Sequence, residues 1–375
     1  MDGVRTASPR LEGLDALRGI AAMSVMLYHY TSRYGWWLRV PPPRPSLDFP
    51  HGNFGVELFF IISGFVIFMT LERSRSLADF LMFRFARLYP AYWAALSFTI
   101  ALTVVAGAAG IGGFGFGGHD PAGGWLRIAA NTTMLPALFG QLAIDGSYWS
   151  LFYEVWFYVL AGYVWFTVRP RRPELCCAIW LASSLLFRCA QDSGYGRALG
   201  QLANAPFSDL FTIGIMLYQI RSARASPATW AVLGLAIAVS FSAPDVALSG
   251  LSSMGYPLVV AGLSGCVWLA SGPGLRLCPI APLRFLGRIS FPLYLVHQAA
   301  GFLIIARLED RGVSADLAVA LTGAYAIGVA WVISMTVEFP AQAWLRERYW
   351  ASRVSARAVE SRTAPAAPVG AAHGR

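Results

Sequence analysis

The sequence predicts an all-α polytopic membrane protein, a bundle of about ten transmembrane helices with both termini on the cytoplasmic side. Three observations carry this. Of the 375 residues, 56% are apolar and only 13% charged, about half the charged share of a soluble domain, and the mean hydropathy is positive. Apolar runs long enough to cross the hydrocarbon core, which takes about 20 helical residues, recur along the whole chain. Between them, arginines gather in alternate connections.

The predicted spans are 14–32, 54–71, 88–110, 149–168, 175–190, 203–220, 228–243, 254–272, 288–306 and 317–339. Met1 to Glu12 is polar, and no small-residue cleavage site follows the first apolar run, so that run is expected to stay in the membrane. With the N-terminus inside, 21 of the 29 cationic side chains fall on the inner side, as the positive-inside rule requires. All 29 are arginine. No lysine is present to act as a nucleophile, and every cation is a guanidinium able to grip an anion with two donors. Because these arginines are scattered between apolar spans, they read as topology signals and not as a nucleic-acid footprint.

Three segments fall outside the bundle. Residues 33–53, with the run VPPPRPSLDFPHG, form an outer loop, and 111–148 form a longer one whose Trp125–Leu138 part is expected to lie in or dip into the interface. Residues 351–375, rich in Ala, Arg and Pro, are expected to be a disordered cytoplasmic tail, leaving 1–350 as one membrane domain. The five cysteines show no CxxC or metal spacing and read as packing residues.

Ionisable groups inside spans are costly and mark candidate sites. The first span holds Arg18 and His29, eleven residues and therefore roughly 16 Å apart on one helix face. Glu57 opens the second span in GVELFFIISGF, where Ser63-Gly64 permits close packing. The fourth begins GSYWSLFYEVWFY, with Ser147, Ser150 and Glu154 on one face. The ninth, GRISFPLYLVHQ, places Ser290, Tyr294 and His297 on one stripe, and Glu338 closes the tenth where an arginine is its expected partner. Each has a plainer reading: Arg18 snorkels, His29 caps a helix end, Glu57 sits at the water interface, and His297 is satisfied by a carbonyl. His29, Glu57 and Glu154 at one depth on three helices argue for a site. Arg84 and Arg87 in FRFARLYP lie one turn apart, either as inner-side anchors or, beside Arg18 and Arg288, as a clamp for phosphate.

The motifs LDALRGIAAMSVMLYH, GVELFFIISGF, RFARLYP, YWSLFYEVWFY and SFPLYLVH, in this order, resemble the membrane acyltransferase-3 family, the type that includes nodulation and O-antigen O-acetyltransferases. The resemblance runs from about Leu11 to Leu345. It implies a ten-helix bundle in a bacterial inner membrane and transfer of a short acyl group, acetyl foremost, from cytoplasmic acyl-CoA to a hydroxyl of a sugar, glycan or glycosylated metabolite. No tightly bound cofactor or metal is implied. Arg18 and His29 match its Arg-x10-His pair, Arg84 and Arg87 its Arg-x-x-Arg pair. His29 then stands as the catalytic residue, with Glu57 or Glu154 as the carboxylate expected to fix its tautomer. Arg18, Arg84, Arg87 and Arg288 are expected to hold the donor, and Tyr148, Trp149, Ser150 and His297 to meet the acceptor or the oxyanion. The partners expected are membrane lipid, acyl-CoA and the acceptor. The competing class is a transporter using intramembrane His and Glu for proton coupling; the inverted repeat it would favour is not visible in the sequence.

Overall fold

The chain is described by a computed structural model over residues 11–35, 45–108, 121–190, 193–242, 254–272 and 281–363, and among the described residues it is helical with no strand. In order the helices are α1 (Glu12–Tyr28), α2 (Gly55–Arg73), α3 (Leu77–Ala108), α4 (Pro121–Asn131), α5 (Trp149–Tyr163), α6 (Pro173–Cys189), α7 (Gly194–Leu202), α8 (Ser208–Arg221), α9 (Pro227–Val239), α10 (Gly255–Ala270), α11 (Ala281–Glu309), α12 (Ala315–Ile333) and α13 (Phe339–Thr363). Within the described residues, each of the ten apolar runs picked out by sequence overlaps a helix. Among the described residues, five helical stretches are long and apolar enough to cross a membrane: Pro50–Arg73, Leu77–Ala108, Gly146–Val168, Ala281–Glu309 and Ala315–Arg353. Pro227–Ser242 and Gly255–Ala270 are apolar but shorter.

Burial separates the inside of the bundle from its rim. The apolar windows of α11 and of the α2 stretch are 83% and 72% buried, against 33% for the α3 and α5 stretches. α1, α2, α8 and α11 are therefore the central pieces: α1 packs along α11 and α2, α2 along α8, and α11 along α12. Outward-facing side chains such as Val104, Val105, Ile179 and Leu258 are exposed and apolar, as a lipid-facing surface requires.

The central crossings are backbone against backbone. A Cβ at Gly64 would sit 2.1 Å from the carbonyl oxygen of Phe211, and one at Gly214 2.1 Å from that of Ile61, so both glycines are needed where α2 meets α8. This is the close packing expected from Ser63-Gly64. Where α1 crosses α11, a Cβ at Gly287 would fall 2.3 Å from the carbonyl oxygen of Asp15. Hydrophobic burial does not drive helices together in lipid, so close contact of this kind is what holds such a bundle.

Several elements differ from expectation. α3 starts at Leu77, because Ser76 Oγ accepts the Asp79 N–H (3.1 Å) and caps its N-terminus. Arg84 and Arg87 therefore lie inside this helix and not before it. The loop at 33–53 is described only in part: residues 36–44 lie outside the described residues, while Pro50–Phe54 forms a 3-10 turn. Within the second loop, Pro121–Asn131 is a helix with Trp125 exposed, and residues 109–120 lie outside the described residues. The tail expected to be disordered from 351 begins as helix up to Thr363, a stretch of Ala, Arg, Glu and Ser that favours helix over coil; residues 364–375 lie outside the described residues. Cys176, Cys177, Cys189 and Cys266 are free thiols, and Cys278 lies outside the described residues.

Candidate active site

α1 does not run straight through His29. At Tyr28 it gives way to a single wide π turn, His29–Arg33, a distortion that recurs at functional sites. The same device at Ser334–Glu338 carries Glu338. Tyr30 fixes the end of α1 against α11: its hydroxyl donates to the carbonyl oxygen of His297 (2.8 Å). Gly301 leaves room for that ring, since a Cβ there would lie 2.2 Å from Tyr30 Cε1.

This packing brings His29 and His297 together from residues 268 positions apart, with His297 Nε2 3.1 Å from His29 Nδ1. The protons follow from the partners. His297 Nδ1 lies 2.8 Å from the Tyr294 carbonyl oxygen and 3.2 Å from that of Leu293. Carbonyl oxygens only accept, so Nδ1 of His297 carries the hydrogen, and neutral His297 presents a lone pair at Nε2. His29 Nδ1 faces that lone pair and the Val25 carbonyl oxygen (2.9 Å), two acceptors. Its proton is therefore on Nδ1, which leaves Nε2 of His29 as a free base.

A cavity of about 570 Å³, counted with its open mouth, lies beside this pair between α1, α2, α3, α5 and α11. Arg18 and Arg84 line one end and Ser150 and Tyr294 the other, with Ser63, Glu154 and Tyr158 between them among apolar side chains such as Phe59 and Phe291. Arg84 is set by Thr70, whose Oγ1 accepts from its Nη2 (3.3 Å), and by the Tyr158 ring 5.9 Å from its Cζ. The Nε atoms of Arg18 and Arg84 are buried with no hydrogen-bond partner. The His297 ring stands 5.7 Å from the Tyr294 ring, so the cavity ends one side chain short of the histidines.

The structure corrects several expected roles. Glu154 does not orient His29: its carboxylate accepts from Tyr158 and from Ser63 Oγ (3.3 Å) inside the cavity. His297 takes the orienting role, through the carbonyl contacts its plainer reading required. Glu57 is buried in the first turn of α2, but its side chain is not part of the cavity wall. Arg87 is paired with Glu338, which Ser334 Oγ also reaches (3.2 Å), as expected for Glu338. Neither Arg87, held by Glu338, nor exposed Arg288 lines the cavity. Tyr148 turns to α3, within 3.5 Å of Thr99 Oγ1, and Trp149 faces outward against Phe207. Ser150 does reach the cavity. The Tyr294 hydroxyl donates to the Ser147 carbonyl oxygen (2.9 Å), so Ser150 Oγ donates to Tyr294 (2.6 Å).

One residue escaped the sequence reading. Asp145 is buried, accepts from the N–H and hydroxyl of Ser147 (both 2.8 Å), and reaches across to the Ala299 N–H (3.0 Å). It clamps the turn leading into α5 onto α11 two residues past His297. Its only signal was an Asp two places before a Ser, a common turn pattern.

Comparison with curated proteins and with solved structures gives no match. The acyltransferase-3 family, described as an acyltransferase domain, matches residues 11–336, nearly the whole chain. Those limits enclose α1 to the π turn after α12, and with them both histidines, both cavity arginines and Glu154. The chain belongs to the acyltransferase-3 family, and it is a multi-pass membrane protein built around the buried meeting of α1 and α11.

Proposed function

We propose that this protein is an O-acyltransferase of the bacterial inner membrane that moves a short acyl group, acetyl foremost, from cytoplasmic acyl-CoA to a hydroxyl of a sugar, glycan or glycosylated metabolite. The observation that carries the reading is the histidine pair, which leaves Nε2 of His29 unprotonated beside a cavity with arginines at one end. Arg18 and Arg84 bind the donor phosphates at the cytoplasmic mouth, where unpaired guanidinium donors suit phosphate oxygens. The thioester arm runs up the cavity past Glu154 toward Tyr294.

In the chemical step, His29 Nε2 takes the proton from the acceptor hydroxyl as the oxygen attacks the thioester carbonyl. The His29 imidazolium then donates through Nδ1–H to His297 Nε2, which keeps the ring in place. Collapse of the tetrahedral intermediate breaks the carbon–sulfur bond and forms the ester; the departing thiolate takes the proton from Nε2 and restores the base. His297 is a positioning residue, because its nitrogen touches His29 and not the reacting atoms.

The test uses the purified full chain. Thiol release from acetyl-CoA is followed with and without a sugar acceptor, together with CoA binding. His29→Ala is expected to bind CoA as tightly as wild type and to release no thiol above background. Release at the wild-type rate by His29→Ala removes the assignment.

A further inference from the structure

We infer that Ser63, Glu154 and Tyr158 form a docking site for the amide groups of the donor's pantetheine arm, so that Glu154 binds donor and takes no part in proton transfer. The inference rests on the acyl-CoA reading above and adds a site to it.

The cavity wall along α2 runs from Val56 to Ile67, eleven residues and therefore roughly 16 Å of helix. An arm threaded along it carries two amides, each with an N–H to donate and a C=O to satisfy. In apolar surroundings each unpaired polar group costs free energy comparable to a lost hydrogen bond. Most of the wall is apolar, and its polar side chains sort by position. Arg18 and Arg84 stand at one end and Ser150 and Tyr294 at the other, where the proton of each hydroxyl is committed. Between them, one turn of α5 on either side, only Glu154, Tyr158 and the facing Ser63 have capacity to spare. Tyr158 donates to Glu154, which leaves the phenol oxygen able to accept. The Glu154 carboxylate has acceptor positions to spare, and Ser63 Oγ, 3.3 Å from Glu154 and 3.5 Å from Tyr158, can turn its proton to an incoming carbonyl. Two acceptors for N–H and a rotatable donor for C=O meet three of the four polar groups that a pair of amides presents. A carboxylate held in the membrane interior without a guanidinium hydrogen-bonded to it has a use beyond packing.

The test compares CoA with adenosine 3′,5′-bisphosphate, which keeps the 3′-phosphate and one of the two 5′-phosphates and lacks the arm, as ligands of the purified full chain. Glu154→Ala and Tyr158→Phe are each expected to weaken CoA by about tenfold or more while leaving adenosine 3′,5′-bisphosphate bound as in wild type. Arg84→Ala is expected to weaken both. Unchanged nucleotide binding shows that each variant is folded, and Tyr158→Phe stands alone if Glu154→Ala does not fold. Equal loss of both ligands, or no loss of CoA, overturns the docking site while the acyltransferase reading stands. Wild-type protein that binds neither ligand removes both.

Discussion

Replacing His297 with Phe keeps a buried ring in its place and removes both nitrogens: the Nδ1–H on carbonyl oxygens of its own helix, and the lone pair 3.1 Å from His29 Nδ1. In the resting site little changes, because the Nδ1–H of His29 still has the Val25 carbonyl oxygen at 2.9 Å and keeps its tautomer. The loss falls on the transition state, where His29 becomes positive and its Nδ1–H bond to His297 becomes charge-assisted. A hydrogen bond to a charged group contributes about 1.5–3 kcal/mol. At 1.36 kcal/mol per decade this is roughly a 10- to 150-fold fall in kcat. The donor site is a side chain away, so KM for acetyl-CoA should hold. His297→Gln, whose amide oxygen can accept in the same direction, should recover much of the rate. The assay is steady-state thiol release by detergent-purified protein across acetyl-CoA concentrations. A Phe variant within about twofold of wild-type kcat, or one whose defect lies in KM alone, refutes the positioning role.

Two further outcomes follow from packing and charge. Arg87→Ala strands the Glu338 carboxylate, which is 1% exposed; it should cost about 3 kcal/mol of stability, seen as a lowered Tm in detergent, and Arg87→Met with Glu338→Leu should regain most of it. A Gly64→Ala Cβ meets the Phe211 backbone, which no rotamer change relieves; separation of α2 from α8 should lower stability by about 1–3 kcal/mol by the same thermal assay, whereas Gly328→Ala, with open space at its Cβ, should leave Tm unchanged.

Much of the fold was legible in the chain because lipid imposes a simple rule. Backbone groups must pair within the segment, so each long apolar run has to be a helix, and among the described residues five helical stretches are long and apolar enough to cross. The Gly64 contact could be read from a small residue in an apolar run. Arg18, Arg84, His29 and Glu154 stood out because charge is rare there. The sequence did not show which helix faces which, and that choice sets the roles. His29 and His297 meet because Tyr30 hydrogen-bonds the His297 carbonyl and Gly301 yields space to its ring, contacts across more than 260 residues. Equal depth made Glu57 and Glu154 look like partners of His29. Depth along a helix is a one-dimensional quantity, and partnership also depends on rotation about the axis and on local π turns, which sequence spacing does not fix. Composition and spacing thus determined a helical membrane protein with an ionisable interior. Tertiary packing decided that an imidazole, and not a carboxylate, holds the His29 imidazole, because only the crossing of α1 and α11 at glycines brings two rings within hydrogen-bond reach.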